Sequence, residues 1–155
     1  MRLFSILIIL IVILIDFFSK KIIESNIDNS SLILNQYITI TKTYNKGIAF
    51  SMFDSSSPLT NIFFSIIVFL ILLIIINFFI KNFNSFTKSE CFAWYMIIGG
   101  ATANLIDRLL HGHVLDFLII HYESLYFPAI FNFADSFISL GIFILILNYF
   151  KNEHN

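Results

Sequence analysis

The chain reads as an all-α membrane protein of four transmembrane helices with a small extramembrane β-rich segment between the first two. Three observations predict this: the composition, four long apolar runs, and a strand-like interval that interrupts them. Of the 155 residues, 58% are hydrophobic and only 12% charged, and the mean hydropathy is +0.88. Too little polar surface remains to cover a water-soluble core built from 20 Phe and long Ile/Leu runs, so a bilayer is the solvent that fits. A net charge of -1 offers no basic footprint and argues against nucleic acid as a partner. The single cysteine, Cys91, excludes an intrachain disulfide and any multi-cysteine metal site.

A helix needs about 20 apolar residues to cross a hydrocarbon core about 30 Å thick. Spans are expected at about 3–18, 59–80, 91–110 and 131–150. The first follows Met1 and Arg2 directly, as the apolar run of a signal peptide would. Its run is long for that purpose, and Asp16-Phe17-Phe18-Ser19-Lys20 offers no small-x-small cleavage pattern, so it reads as a retained anchor. Residues 27–57 change character: Leu32-Ile33-Leu34 and Tyr37-Ile38-Thr39-Ile40-Thr41 are β-branched and aromatic, in partial alternation, with Asn and Gly between. A sheet on the membrane surface fits them better than a fifth span. The stretch 81–90 is a short polar loop, and 111–130 is an amphipathic loop too interrupted to span. No repeat divides the chain, and residues 1–155 form one domain. Four spans leave both termini on one side, with Arg2, Lys81, Lys88 and Lys151 there and Lys20, Lys21, Lys42 and Lys46 opposite. That even balance does not orient the protein, and only the free N-terminal amine tilts it towards termini inside.

Ionisable residues at the edge of a span are costly and each is a functional candidate. Asp16, Asp107, Arg108, Asp116 and Asp135 all fall towards the same end of their helices. Asn104, Asp107 and Arg108 share one helical face by their i, i+3, i+4 spacing, and Asn132, Asp135, Ser136 and Ser139 form a second polar stripe. Such stripes face other helices or water rather than lipid, and some of these groups could serve only as interhelical glue. Two carboxylates held together share one proton, because two like charges at close range do not both ionise cheaply. One then activates water while the other protonates the substrate, the chemistry of aspartyl peptidases. Spacing does not say which two of the four acids pair. His111, His113, Asp116 and His121 are a conceivable metal set, but their spacing matches no ligand motif and no metal is expected. Asn45-Lys46-Gly47, taken alone, reads as a turn.

Taken in order, the blocks carry more. They are Asp16; Asn45-Lys46-Gly47-Ile48-Ala49-Phe50-Ser51; Gly99-Gly100-Ala101-Thr102-Ala103-Asn104-Leu105-Ile106-Asp107-Arg108; Gly112-His113-Val114-Leu115-Asp116-Phe117; and Phe127-Pro128-Ala129-Ile130-Phe131-Asn132-Phe133-Ala134-Asp135-Ser136. This succession resembles the bacterial lipoprotein signal peptidase (signal peptidase II) family. The resemblance implies that Asp116 and Asp135 are the catalytic pair. It implies that Asn45, Gly47, Asn104, Arg108 and Asn132 line or position the substrate, and that Asp16 and Asp107 give structural support. It implies hydrolysis of a prolipoprotein just before its diacylglyceryl cysteine, in the bacterial inner membrane, at the outer face, with no cofactor. The partners implied are that substrate and the lipid bilayer, and the expected state is a monomer. Ala103 stands where the family usually has Gly, and Ile130 lengthens the stretch between Pro128 and Phe131-Asn132. Segments 27–57 and 111–130 would then cover a cleft that opens sideways to lipid. The competing readings are a small transporter or proton conductor with relay acids, and a bundle whose acids are only glue.

Overall fold

A computed structural model describes residues 2–28, 31–47, 58–123 and 125–153. The elements are α1 (Arg2–Asn26), β1 (Leu32–Ile33), β2 (Ile38–Asn45), α2 (Pro58–Asn82), a 3-10 turn (Phe83–Ser85), α3 (Lys88–His111), β3 (Val114–Tyr122), β4 (Leu125–Phe131) and α4 (Phe133–Glu153). Each expected span lies essentially within one helix. Two stretches, Asn61–Ser85 and Phe133–Lys151, are long and apolar enough to cross a bilayer, and only 22% and 11% of their most apolar windows is buried. A core helix of a soluble protein would bury most of itself; these faces are left for lipid.

Local chemistry sets the ends of α3. Thr87 opens it with a reciprocal cap, in which Thr87 Oγ1 accepts from the Glu90 amide at 3.2 Å and Glu90 Oε2 accepts from the Thr87 amide at 2.7 Å. Gly112 closes it at φ 71°, a left-handed conformation that a β-carbon would strain, and its N–H returns to the Arg108 carbonyl. That turn sends the chain from helix into β3 within three residues.

α3 is the central helix, packed by α1, α2 and α4. On α1 the buried residues Ile8, Val12, Asp16 and Lys20 recur every four positions, while Leu7, Leu10, Ile11, Leu14 and Ile15 are exposed. The apolar half of this stripe meets α3 at Gly99, where an added Cβ would come within 2.9 Å of Val12 Cβ. The α3–α4 contact is equally close. A Cβ on Gly100 would lie 2.5 Å from the Ala134 carbonyl oxygen, and one on Gly141 would lie 2.7 Å from that of Ala93. Small residues let these backbones approach. Ala103, at 4% exposure, is accommodated with its methyl buried.

The four strands form one antiparallel sheet in the order β1-β2-β3-β4. The strand-like reading of 27–57 is met by β1 and β2, while residues 48–57, with Ile48-Ala49-Phe50-Ser51, lie outside the described residues. The segment 111–130, expected to be an amphipathic loop, is instead largely the β3–β4 hairpin. Asp116 and His121 made it look interrupted, but both are bonded across the sheet, to Asn45 and Thr39 respectively. Two register shifts follow Asp116 along β3. Between Ile40 and Thr43 β2 carries one more residue than β3, and between Ile130 and Tyr126 β4 carries two more than β3. The β4 bulge holds Pro128, which an edge strand tolerates because its missing N–H costs no ladder bond.

Candidate active site

Asn132 is the residue on which the site is built. It precedes α4, and its Oδ1 accepts from the Asp135 amide at 2.9 Å while Asp135 Oδ2 accepts from the Asn132 amide at 3.1 Å. This reciprocal cap fixes Asp135 in the first turn of α4, where the positive end of the helix favours a carboxylate. Asp135 Oδ1 accepts from Asn104 Nδ2 at 2.8 Å. Asp116 comes from β3 and is 4% exposed. Its Oδ1 accepts from Asn132 Nδ2 at 2.7 Å and its Oδ2 from Asn45 Nδ2 at 2.9 Å. One asparagine thus touches both acids. Burial pushes the Asp116 carboxyl up to about 6; the Asp135 charge adds to the rise, and the Asn45 and Asn132 amides and the Lys20 ammonium hold it down.

Asp16 lies behind this pair, 1% exposed. Its Oδ1 accepts from the Ala134 amide at 2.8 Å, tying α1 to the start of α4, and its Oδ2 accepts from Lys20 Nζ at 2.5 Å. Lys20 also donates to Asp107 Oδ2 at 2.6 Å and to Asn104 Oδ1 at 3.2 Å. Sequence reasoning counted Lys20 among the loop charges; at 6% exposure it belongs to the site instead. The Asp16 and Lys20 pair, acid four residues before base on one helix, was the signal that could have placed it there.

Asn45 Oδ1 accepts from the Gly47 amide at 3.0 Å, so Asn45-Lys46-Gly47 is a turn that also aims the Asn45 amide at Asp116. Arg108 reaches the Gly47 carbonyl at 2.5 Å. Every site residue singled out in the sequence is therefore in or next to one network. A cavity of about 450 Å³ opens on it, lined by Asn45, Asn104, Arg108, Asp116 and Asp135 on the polar side and by Val68, Ile71 and Ile138 on the apolar side. A second cavity of about 560 Å³ shares Arg108 but is walled by Ile62, Ile66 and Phe69 and has no carboxylate in its lining. Volume favours the second and chemistry the first, and chemistry decides. Among the described residues no three His, Cys, Asp or Glu side chains are arranged to hold a metal. His121 is bonded to Thr39 at 3.0 Å, and both Asp116 oxygens are taken by amides.

Lipid-suited helices around a cavity with two amide-bridged carboxylates fit the class of membrane enzymes. The chain belongs to the signal peptidase II family, whose model, described as Signal peptidase (SPase) II, matches residues 8–151. It is 38% identical over 143 residues to the lipoprotein signal peptidase of Cellvibrio japonicus, covering 92% of this chain and 83% of that one. The lipoprotein signal peptidase of Wigglesworthia glossinidia brevipalpis is 41% identical over 143 residues, with 92% and 91% covered. A bacterial membrane enzyme solved by the in meso method superposes with a TM-score of 0.79 at 30% identity, over 96% of this chain and 88% of that one. The chain is accordingly a peptidase.

Proposed function

We propose that this peptidase removes the signal peptide from diacylglyceryl-modified prolipoproteins, cutting just before the lipidated cysteine, with Asp116 and Asp135 as an aspartyl pair. The observation that carries the reading is the Asn132 bridge, with its Nδ2 on Asp116 and its Oδ1 and amide on Asp135. Two acids held so close share one proton. The charged carboxylate takes a proton from water as the oxygen attacks the scissile carbonyl, and the protonated one donates to the carbonyl oxygen. The tetrahedral intermediate collapses as a proton passes to the departing amine. Asn45, Gly47, Asn104, Arg108 and Asn132 position the substrate or the acids, and no metal or cofactor takes part. Asp16 and Asp107 hold the bundle together through Lys20, and Asp16 also through the Ala134 amide of α4.

All four helices cross the bacterial inner membrane in this reading, with both termini cytoplasmic and the acids near the outer face. Removing Lys20 from the loop charges, since two carboxylates surround it, leaves four basic residues on the terminal side against three opposite. The acyl chains of the substrate stay in hydrocarbon while its peptide enters the cavity under the sheet. Family membership lends no support to the transporter reading. The test is a synthetic diacylated prolipoprotein peptide with product masses read by mass spectrometry. A single cut immediately before the lipidated cysteine is expected, with the unlipidated peptide cut far more slowly. Cleavage elsewhere, or equal cleavage of both peptides, would refute the substrate class.

A further inference from the structure

The charge cluster behind the acids contains a group that no step above uses. Lys20 Nζ lies within hydrogen-bond distance of Asp16 Oδ2, Asp107 Oδ2 and Asn104 Oδ1, in a position only 6% exposed. Two carboxylates suffice to satisfy a buried ammonium's charge. The third contact, at 3.2 Å to a neutral amide, is the informative one.

An asparagine amide has one accepting end and one donating end, and its neighbours decide which way it points. An ammonium can only donate. With Lys20 on one side, Asn104 is held with Oδ1 towards Nζ and therefore with Nδ2 towards Asp135 Oδ1, at 2.8 Å. Asn132 Nδ2 also donates to Asn104 Oδ1, at 3.2 Å, with its other hydrogen on Asp116 at 2.7 Å, so Lys20 is one of two donors that hold Asn104 in this orientation. In the opposite orientation Asn104 would turn its oxygen to Asp135, an arrangement that suits only a protonated carboxyl. We infer that Lys20 is a positioning residue for the peptidase reaction, holding Asn104 as a donor to Asp135 and so keeping Asp135 available as the charged member of the pair.

The groups facing this relay are Asp16 on α1, Asp107 and Arg108 on α3, Asp116 on β3 and Asp135 on α4. The carboxylates outnumber the cations, so the Lys20 charge matters to all of them. Asp116, on β3, senses it, and removing it disfavours the ionised form of Asp116. Loss of Lys20 therefore acts in two ways with one sign: it removes one of the two donors that orient Asn104, and it withdraws a cation.

The inference rests on the peptidase reading of the site, and the experiment separates the two. Wild type, Lys20→Arg, Lys20→Met and the charge-balanced Lys20→Met/Asp107→Asn are purified in detergent and checked for folding by thermal unfolding. Each is then assayed for kcat, KM and pH profile on the diacylated peptide. No cleavage by wild type would defeat the reading itself. With wild type active, the folded neutral variants are expected to lose about 10- to 100-fold in kcat with KM little changed, the scale of a misplaced catalytic group. Their pH limb should move upward, and Lys20→Arg should recover much of the rate. An unchanged kcat and pH limb in either folded neutral variant overturns the inference. So does failure of both neutral variants to fold, which would assign Lys20 to folding alone.

Discussion

At the scale of single residues, the site depends on amides that point one way. Asn132 donates from Nδ2 to Asp116 and accepts at Oδ1 from the Asp135 backbone, and Asn45 donates to the other Asp116 oxygen. These donors favour the charged form of an acid that burial otherwise drives towards protonation. With Asp116 raised to about 6, one limb of the activity profile should inflect near pH 6. Replacing Asn45 by Ala removes a donor that favours ionisation of Asp116, so the limb should move to higher pH. A profile of log kcat against pH checks this, and a limb that stays or moves down contradicts it. Asn132→Ala loses a helix cap as well as a donor. It should cost about 0.5–2 kcal/mol of stability in addition to most of the activity, as thermal unfolding and turnover would report. Asp16, Asp107 and Asp135 were legible as polar groups stranded on apolar helices, whereas Asp116, expected near a helix end, lies on β3 and was marked as catalytic only by the family resemblance. Most of their partners were not, because hydrogen bonds between residues 16 to 118 positions apart leave no local pattern.

At the scale of elements, close packing brings those residues together. α3 meets α4 at Gly100 and Gly141, where added Cβ atoms would reach 2.5 Å and 2.7 Å from backbone carbonyl oxygens. Neither oxygen can step aside as a flexible side chain could. Gly141→Ala should lower stability by about 1–3 kcal/mol through overpacking while leaving the substrate affinity of folded enzyme near wild type. Gly100→Ala presses on Ala134, next to Asp135, and should depress turnover as well. Parallel unfolding and kinetic measurements distinguish the two effects. Helices were legible because long apolar runs have few other uses, and the β2 strand because of its β-branched alternation. The β3–β4 hairpin was not. Its polar positions, Asp116 and His121, are buried by partners from β2, so its burial runs unbroken over Val114, Leu115, Asp116 and Phe117 where alternation would have marked a strand.

At the scale of the whole molecule, α1, α2 and α4 expose apolar side chains while the polar side chains gather at one end, under the sheet. The even loop charges did not orient it, and Lys20, counted among them, is paired with two carboxylates inside the bundle. Cysteines placed one at a time at Asn35, in the β1–β2 turn, and at Ser85, between α2 and α3, test the direction. With the native Cys91 buried, an impermeant thiol reagent outside intact cells should label position 35 and leave position 85 unlabelled. The reverse pattern would invert the proposed topology. The central claim is that Asp116 and Asp135 act together as the reacting pair, and its most direct measurement is the cleavage rate of a diacylated prolipoprotein by Asp116→Asn and Asp135→Asn. Each variant should insert and fold like wild type and lose about 10²- to 10⁴-fold in rate; wild-type rates in both would contradict the account.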